Sequence, residues 1–470
     1  MSLRALLAAE AYKKGRAIRS TLVRHRAIES DPIFLVAWQN GFDPFSCSAI
    51  AFGQAHAAPD LFLISGARAA DVDAREFAEA AQRFCELFES YGTASSAIDY
   101  QGRKLEVPVW PAQVIVANEA TVRLLWRIGR RFARFEHTDS QLQATLRRFA
   151  AHLLMLARHV DLPGQQLVLS CTDFLNAHWV SATSALECES LFALEAWIDP
   201  PARMLGFDAA VAAERFSAGP QPKPEDAQTA ARLFAALEKA RKGGPGGSGE
   251  AAGALEALRE FYRGITEPVW ELMINIVRRE REVPAAAHLA RRIDRDRIAY
   301  GLHLEALERT VANPRGIPFF DTARSAALRR DELERAAALL EVEEALDDPL
   351  KMLPRLLSGE AVEGEVLGSA ASKTEGSTVV LRTEDPCAAM QPGTELWWIG
   401  APVGRGWSIE RIEASGTGSK VTLVQPVRRD PAGCPTPGTR AVFSPLHFDD
   451  HFYLALYLPS RTPWTHRPAA

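Results

Sequence analysis

The sequence contains no Cys-x-x-Cys pair, although it has six cysteines: Cys47, Cys85, Cys171, Cys188, Cys387 and Cys434. Their wide spacing argues against a zinc ribbon and against a compact disulfide framework, and it predicts a reducing compartment. No run of about 18 apolar residues occurs, so no membrane span is expected. The N-terminal apolar run from Ala5 to Ala9 ends at Glu10 and is too short for a signal-peptide core. The cytoplasm is the expected location. Positive charge is not in excess either: 54 Lys and Arg stand against 59 Asp and Glu, a formal net charge of -5. A global field that would hold the chain on nucleic acid or an anionic membrane is thereby excluded, and any anion binding must come from a local patch.

What is present is the composition of a globular protein, 47% apolar and 24% charged. At 470 residues the chain is too long for one ordinary core, which predicts two to four domains. The first 30 residues read as a helix carrying Lys13, Lys14, Arg16, Arg19, Arg24 and Arg26. Short apolar runs bounded by Gly, Pro, Asn or Asp then predict strands at Ile33 to Trp38, Ala49 to Gly53, Leu61 to Ser65, Gln113 to Val116 and Gln166 to Ser170. Helical periodicity lies between them, in Phe77 to Tyr91 and in Ser140 to Val160. Alternating strands and helices predict a mixed α/β domain over residues 1–217, opening with the basic helix. Ser184 with Glu187 forms a capping box for a helix running to Trp197, stopped by Pro200 and Pro201.

Residues 218–358 read as an all-α region, interrupted by a Gly-rich linker at 243–249. Gly264 is expected to stop one helix there, and Thr266 before Pro268 to start another. From Ala361 the apolar period changes to two. Val362 and Val366, Val379 and Leu381, Leu396 and Trp398, Trp407 and Ile409, Val421 and Leu423, and Val442 mark six short strands. Pro392-Gly393-Thr394 and Pro437-Gly438-Thr439 supply the same turn chemistry ahead of two of them. A small all-β barrel or sandwich of about six strands is predicted over 361–445, followed by a Pro-containing tail over 446–470.

Five constellations bear on function. The glycine loop at 243–249 lacks a preceding strand, and Glu250 stands where a phosphate loop needs lysine, so it reads as a linker. On the helix predicted from Glu119 to Phe135, Arg123, Arg127, Arg130, Arg131 and Arg134 fall within an arc of about 100°, opposite Leu124, Leu125, Ile128, Phe132 and Phe135. The planar guanidinium fork suits phosphate and carboxylate recognition. The alternative is a solvated face paired with acids from a neighbouring element.

Cys171, Asp173, His178, Ser184 and Glu187 crowd the end of a predicted strand, where a nucleophile, a base and an orienting group would be needed together. Helix capping already accounts for Ser184 and Glu187. His447, Asp449 and His451 supply the donors of a 2-His-1-carboxylate metal site, beside the packing residues Phe448, Phe452 and Tyr453. Trp397 and Trp398 are adjacent on a predicted strand, so one faces inward and one outward, where it would bind a partner or pack against another domain. The β-module carries eight Lys or Arg and nine Asp or Glu, a net of 8 - 9 = -1, which weakens any nucleic-acid role for it.

These observations predict a non-enzymatic accessory or adaptor protein that binds a protein partner, with nucleic acid as an anionic partner of the arginine-lined helix. A hydrolase built on Asp173, His178 and Glu187 is the first alternative. A metal-dependent enzyme using His447, Asp449 and His451 is the second. No cofactor is expected beyond such a metal ion.

Overall fold

The computed structural model describes residues 3–448 apart from 42, 65–69, 184–188, 243–247, 314–321, 373–375, 385–389, 402–405, 417 and 426–433. The chain divides into two compact units, residues 3–321 and the chain from Thr322 onward.

The first unit runs α1 (Leu3–Lys14), β1 (Ile18–Arg19), β2 (Ile33–Gln39), β3 (Cys47–Gly53), β4 (Asp60–Leu63), α2 (Ala70–Ser90), β5 (Ser95–Tyr100), β6 (Arg103–Pro108) and β7 (Val114–Val116). It continues with α3 (Glu119–Phe132), α4 (Ser140–Val160), β8 (Val168–Ser170), α5 (Cys171–His178), β9 (Trp179–Val180), α6 (Leu191–Ile198), α7 (Gly206–Ala213), α8 (Pro224–Lys242), α9 (Ser248–Arg281) and α10 (Leu289–Ala312). Five strands form one mixed sheet in the order β4-β3-β2-β7-β8. β2 pairs antiparallel with β3 and parallel with β7, and β7 is parallel to β8.

β2 is buried on both faces because its alternate residues enter different cores. Ile33, Leu35 and Ala37 pack with Phe77, Phe84, Phe132 and Phe149 of α2, α3 and α4. Phe34, Val36 and Trp38 pack with Leu194 and Trp197 of α6, Leu237 of α8, and Tyr262, Val269, Trp270 and Met273 of α9. Near-continuous apolar strands are what a sheet covered by helices on both faces requires. The mixed α/β character expected from the sequence is therefore present.

Three expectations are corrected. The opening helix ends at Lys14, and the chain beyond it forms β1, which pairs with β9. Gly264 and Pro268 do not break the helical region: α9 runs unbroken through both. Burial of Leu258, Tyr262, Val269 and Trp270 along one stripe outweighs the missing proline N–H. Finally, residue 217 is not a boundary between compact units. α8 and α9 complete the second core of the sheet, so they belong with it.

The second unit holds α11 (Ala323–Asp347), α12 (Pro349–Ser358), β10 (Val362–Ser372), β11 (Gly376–Thr383), β12 (Glu395–Trp398), β13 (Trp407–Ser415), β14 (Gly418–Gln425) and β15 (Arg440–Ser444). Its helices thus lie with the strands rather than with the helical region before them. All six strands pair antiparallel, and the order β10-β11-β14-β13-β12-β15 closes on itself. Val362, Val366, Val379, Leu381, Leu396, Trp407, Ile409, Val421 and Leu423 fill the interior as the period-two pattern predicts. In β15 it is Ala441 and Phe443 that face this core, while Val442 packs on a second cluster around Met352. Gly393 and Gly438 take φ of 92° and 80°, which glycine adopts without steric cost, and each closes a turn ahead of its strand. Among the described residues, no helix is long and apolar enough to cross a membrane.

Candidate functional site

The arginine-bearing helix is set by its start. Asn118 caps α3, its side-chain oxygen accepting from the Thr121 N–H at 3.0 Å, and its amide donates to the Gly219 carbonyl. Asn118→Ala is expected to lower stability by about 0.5–2 kcal/mol, read as a fall in the thermal midpoint. Leu124, Leu125, Ile128 and Phe132 anchor the inner face, and Gly129 lets α4 approach so closely that a Cβ there would stand 3.1 Å from Leu154. Between the helices opens a cleft of about 210 Å³ lined by Glu119, Arg123, Trp126, Arg158 and Asp161.

The structure divides the five arginines. Arg123 pairs with Glu119 one turn earlier at 2.9 Å, and Arg131 pairs at 3.0 Å with Asp43 from the loop between β2 and β3. Exposed pairs of this kind contribute about 0.2–1 kcal/mol. Arg130 lies 4.9 Å over the ring of Trp126, which is 40% exposed. Arg127 is half-buried on the same helix. Arg134 stands beyond the helix, which ends at Phe132 with Ala133 as its C-cap, three residues short of the expected end at Phe135.

The cluster around Cys171 is largely structural. Cys171 is fully buried, and burial pushes its thiol up, away from the thiolate a nucleophile needs. His178 is buried too. Its Nδ1 donates to the Phe174 carbonyl at 2.7 Å and its Nε2 accepts from the His25 backbone N–H at 2.9 Å, an assignment fixed by those partners. Asp173 sits exposed in the first turn of α5, capped by Ser170. The α6 helix expected from Ser184 begins at Leu191 with Ser190 as its cap. Ser184 and Glu187 lie outside the described residues.

In the second unit, Leu396 is buried in the interior of the β-module and Trp398 packs against the same core, whereas Trp397 stacks on His447 with ring centroids 3.8 Å apart. His447 also approaches the Pro445 carbonyl through Nδ1 at 3.1 Å. Asp449 and His451 lie outside the described residues.

Two further features escaped the sequence reading. A cavity of about 530 Å³ opens at the end of β2, lined by Gln39, Asn40, Gln221, Gln228, Phe234 and Tyr262. Elsewhere, α2, α4 and α10 bring together a polar network that runs from the buried His152 to the exposed Glu308. Arg148 forms two hydrogen bonds with Glu89, at 2.6 and 2.7 Å, and reaches Glu308 at 2.6 Å. His152 contacts Glu89 through Nε2 and His303 through Nδ1, both at 2.8 Å. Burial alone would raise Glu89, but the hydrogen bonds from His152 and Arg148 prevail and hold its carboxyl down at about 2. Burial, with His152 alongside, pushes His303 down to about 3. Cys85, four residues before Glu89, lies beside this network with its thiol pushed up by burial. In the sequence the only trace is the Cys85 and Glu89 spacing, because the partners of Glu89 lie 59 and 63 residues away on another helix.

Comparison with protein-family models, with curated proteins and with solved structures finds no match.

Proposed function

We propose that this chain is a non-enzymatic accessory protein that engages single-stranded nucleic acid through the outer face of α3. The observation that carries the reading is Trp126, an exposed indole set on the arginine-bearing face of α3 and bordering a cleft that also holds Arg158. A base stacks on such a ring whatever its sequence, and flanking guanidinium groups contact the backbone phosphates. With a net charge of -5 the chain as a whole repels a polyanion, so binding is local and strongly salt-dependent. The commitment of both His178 ring nitrogens to backbone groups favours this reading over a hydrolase.

The test replaces Arg127 and Arg130 together by Glu. Arg131 is left in place, because reversing it would also break the pair with Asp43. With a labelled polypyrimidine strand, binding is expected to weaken, and the slope of log affinity against log salt to fall by about 1.4, from two phosphate contacts at about 0.7 each. Trp126→Ala is expected to remove about 1–3 kcal/mol of binding with little change in that slope. No detectable binding by the wild-type chain, or binding with the same salt slope in the double variant, would sink the reading. The first of these results would direct attention to an acidic protein partner.

A further inference from the structure

We propose that Cys85, Glu89 and His152 bind a zinc ion between α2 and α4, with His303 as the positioning residue behind His152. The ligand atoms of the three residues all lie within 4.8 Å of one another. Donors at about 2.0–2.3 Å from a tetrahedral ion stand about 3.3–3.8 Å from one another, so side-chain rotation must draw the three together by about 1 Å. Cys85 and Glu89 stand four residues apart on one helix and therefore share a face, while His152 presents its Nε2 to Glu89 from the middle of α4. One sulfur, one imidazole and one carboxylate form a donor set suited to zinc rather than to the oxygen-seeking magnesium or calcium.

Charge and protons balance. Glu89 and Glu308 share the single cation Arg148, leaving one excess negative charge among these three groups. Zinc entry adds two positive charges, and loss of the Cys85 proton to solvent removes one, so the net charge of the cluster becomes zero. For His152 to offer Nε2 to the ion, its ring proton must sit on Nδ1. That proton leaves Nε2, where it faces Glu89, and on Nδ1 it is donated in a hydrogen bond to His303 Nε2, 2.8 Å away, whose own proton then sits on Nδ1. A ligating histidine is characteristically held in this way by a partner on its other nitrogen. Arg148 retains Glu308 when Glu89 turns toward the ion.

The full-length chain, purified without chelator after growth with added zinc, is expected to hold about one zinc per chain by mass spectrometry. Its X-ray absorption is expected to show a single sulfur at about 2.3 Å with nitrogen and oxygen donors at about 2.0–2.2 Å. Cobalt substitution is expected to give a thiolate charge-transfer band that disappears in Cys85→Ala, and zinc content is expected to fall severalfold in Glu89→Gln. The absorption measurement needs no variant, so it decides the matter even where a substitution prevents folding. Protein without bound zinc, a site with two or more sulfurs, or a cobalt band that survives in folded Cys85→Ala would each overturn the proposal.

Discussion

A fragment ending at residue 217 is expected not to fold, whereas one ending at residue 321 is expected to fold cooperatively. The sheet strand β2 presents Phe34, Val36 and Trp38 to a layer that consists largely of α8 and α9. Cutting at 217 removes Leu237, Leu258, Tyr262, Val269, Trp270, Met273, Ile276 and Val277 from that layer. At about 1.5–3 kcal/mol for each buried side chain, the loss is comparable with the whole stability of a typical domain, about 5–15 kcal/mol. The cut also strands the Trp38 indole N–H, which donates to Thr266 Oγ1 at 2.9 Å, and it removes Tyr300, whose ring closes the opposite core against Phe88. Near-ultraviolet circular dichroism and limited proteolysis separate the outcomes. A sharp thermal transition in the shorter fragment would show that the sheet does not need its later helices.

This prediction turns on what local sequence can and cannot express. The five sheet strands are legible because each is an apolar run closed by turn residues, and α4 is legible over Ser140 to Val160 through its unbroken periodicity. The six strands of the second unit follow from a period-two pattern that their interior requires. Pro200, Pro201 and Gly264 are equally visible, yet the prolines fall between helices of one unit and Gly264 lies inside α9, so none marks its edge. The buried stripe that carries α9 through Gly264 and Pro268 is fixed by strands more than 200 residues earlier. The β5-β6 hairpin was missed because its first strand is largely exposed and polar, although Gln101 and Gly102, with φ of 53° and 77°, form its turn.

The candidate sites divide in the same way. The arginine face could be read from one helix, because it depends only on angular spacing. Its pairing could not, since the Asp43 that takes Arg131 comes from a loop 88 residues away. His178 stood out in the sequence for its polar neighbours, and the groups that occupy it are the backbones of Phe174 and His25. The Glu89, His152 and His303 network left almost no local trace, because three helices contribute to it.

Replacing Glu280 by Ala is expected to destabilise the first unit by about 3–5 kcal/mol, the cost of leaving the half-buried Arg19 without its counter-charge and Arg279 with Glu195 alone. Glu280 is fully buried near the end of α9. Its Oε2 accepts from Arg19 at 2.8 Å, and its Oε1 accepts from the Trp179 indole at 3.0 Å and from Arg279 at 3.2 Å. Arg19 and Trp179 are directly paired across β1 and β9, so this one carboxylate ties the N-terminal strand to the end of the longest described helix. Both guanidinium groups also lie over the Trp179 ring, at 5.3 and 6.0 Å, and hydration cannot readily replace the lost anion in that setting. Glu280→Gln keeps the shape but turns an amide N–H toward donors, and a smaller loss of about 1–3 kcal/mol is expected. Glu256→Ala, which removes only an exposed pair with Arg259, serves as the control and is expected to change stability by less than about 1 kcal/mol. Hydrogen exchange read peptide by peptide in the full chain isolates the first unit. Exchange in its most protected strands is expected to accelerate by roughly two to four decades in Glu280→Ala, at about 1.4 kcal/mol per decade, while the β-module stays unchanged. Equal protection in Glu280→Ala and Glu256→Ala would mean that the carboxylate offsets no more than its own burial.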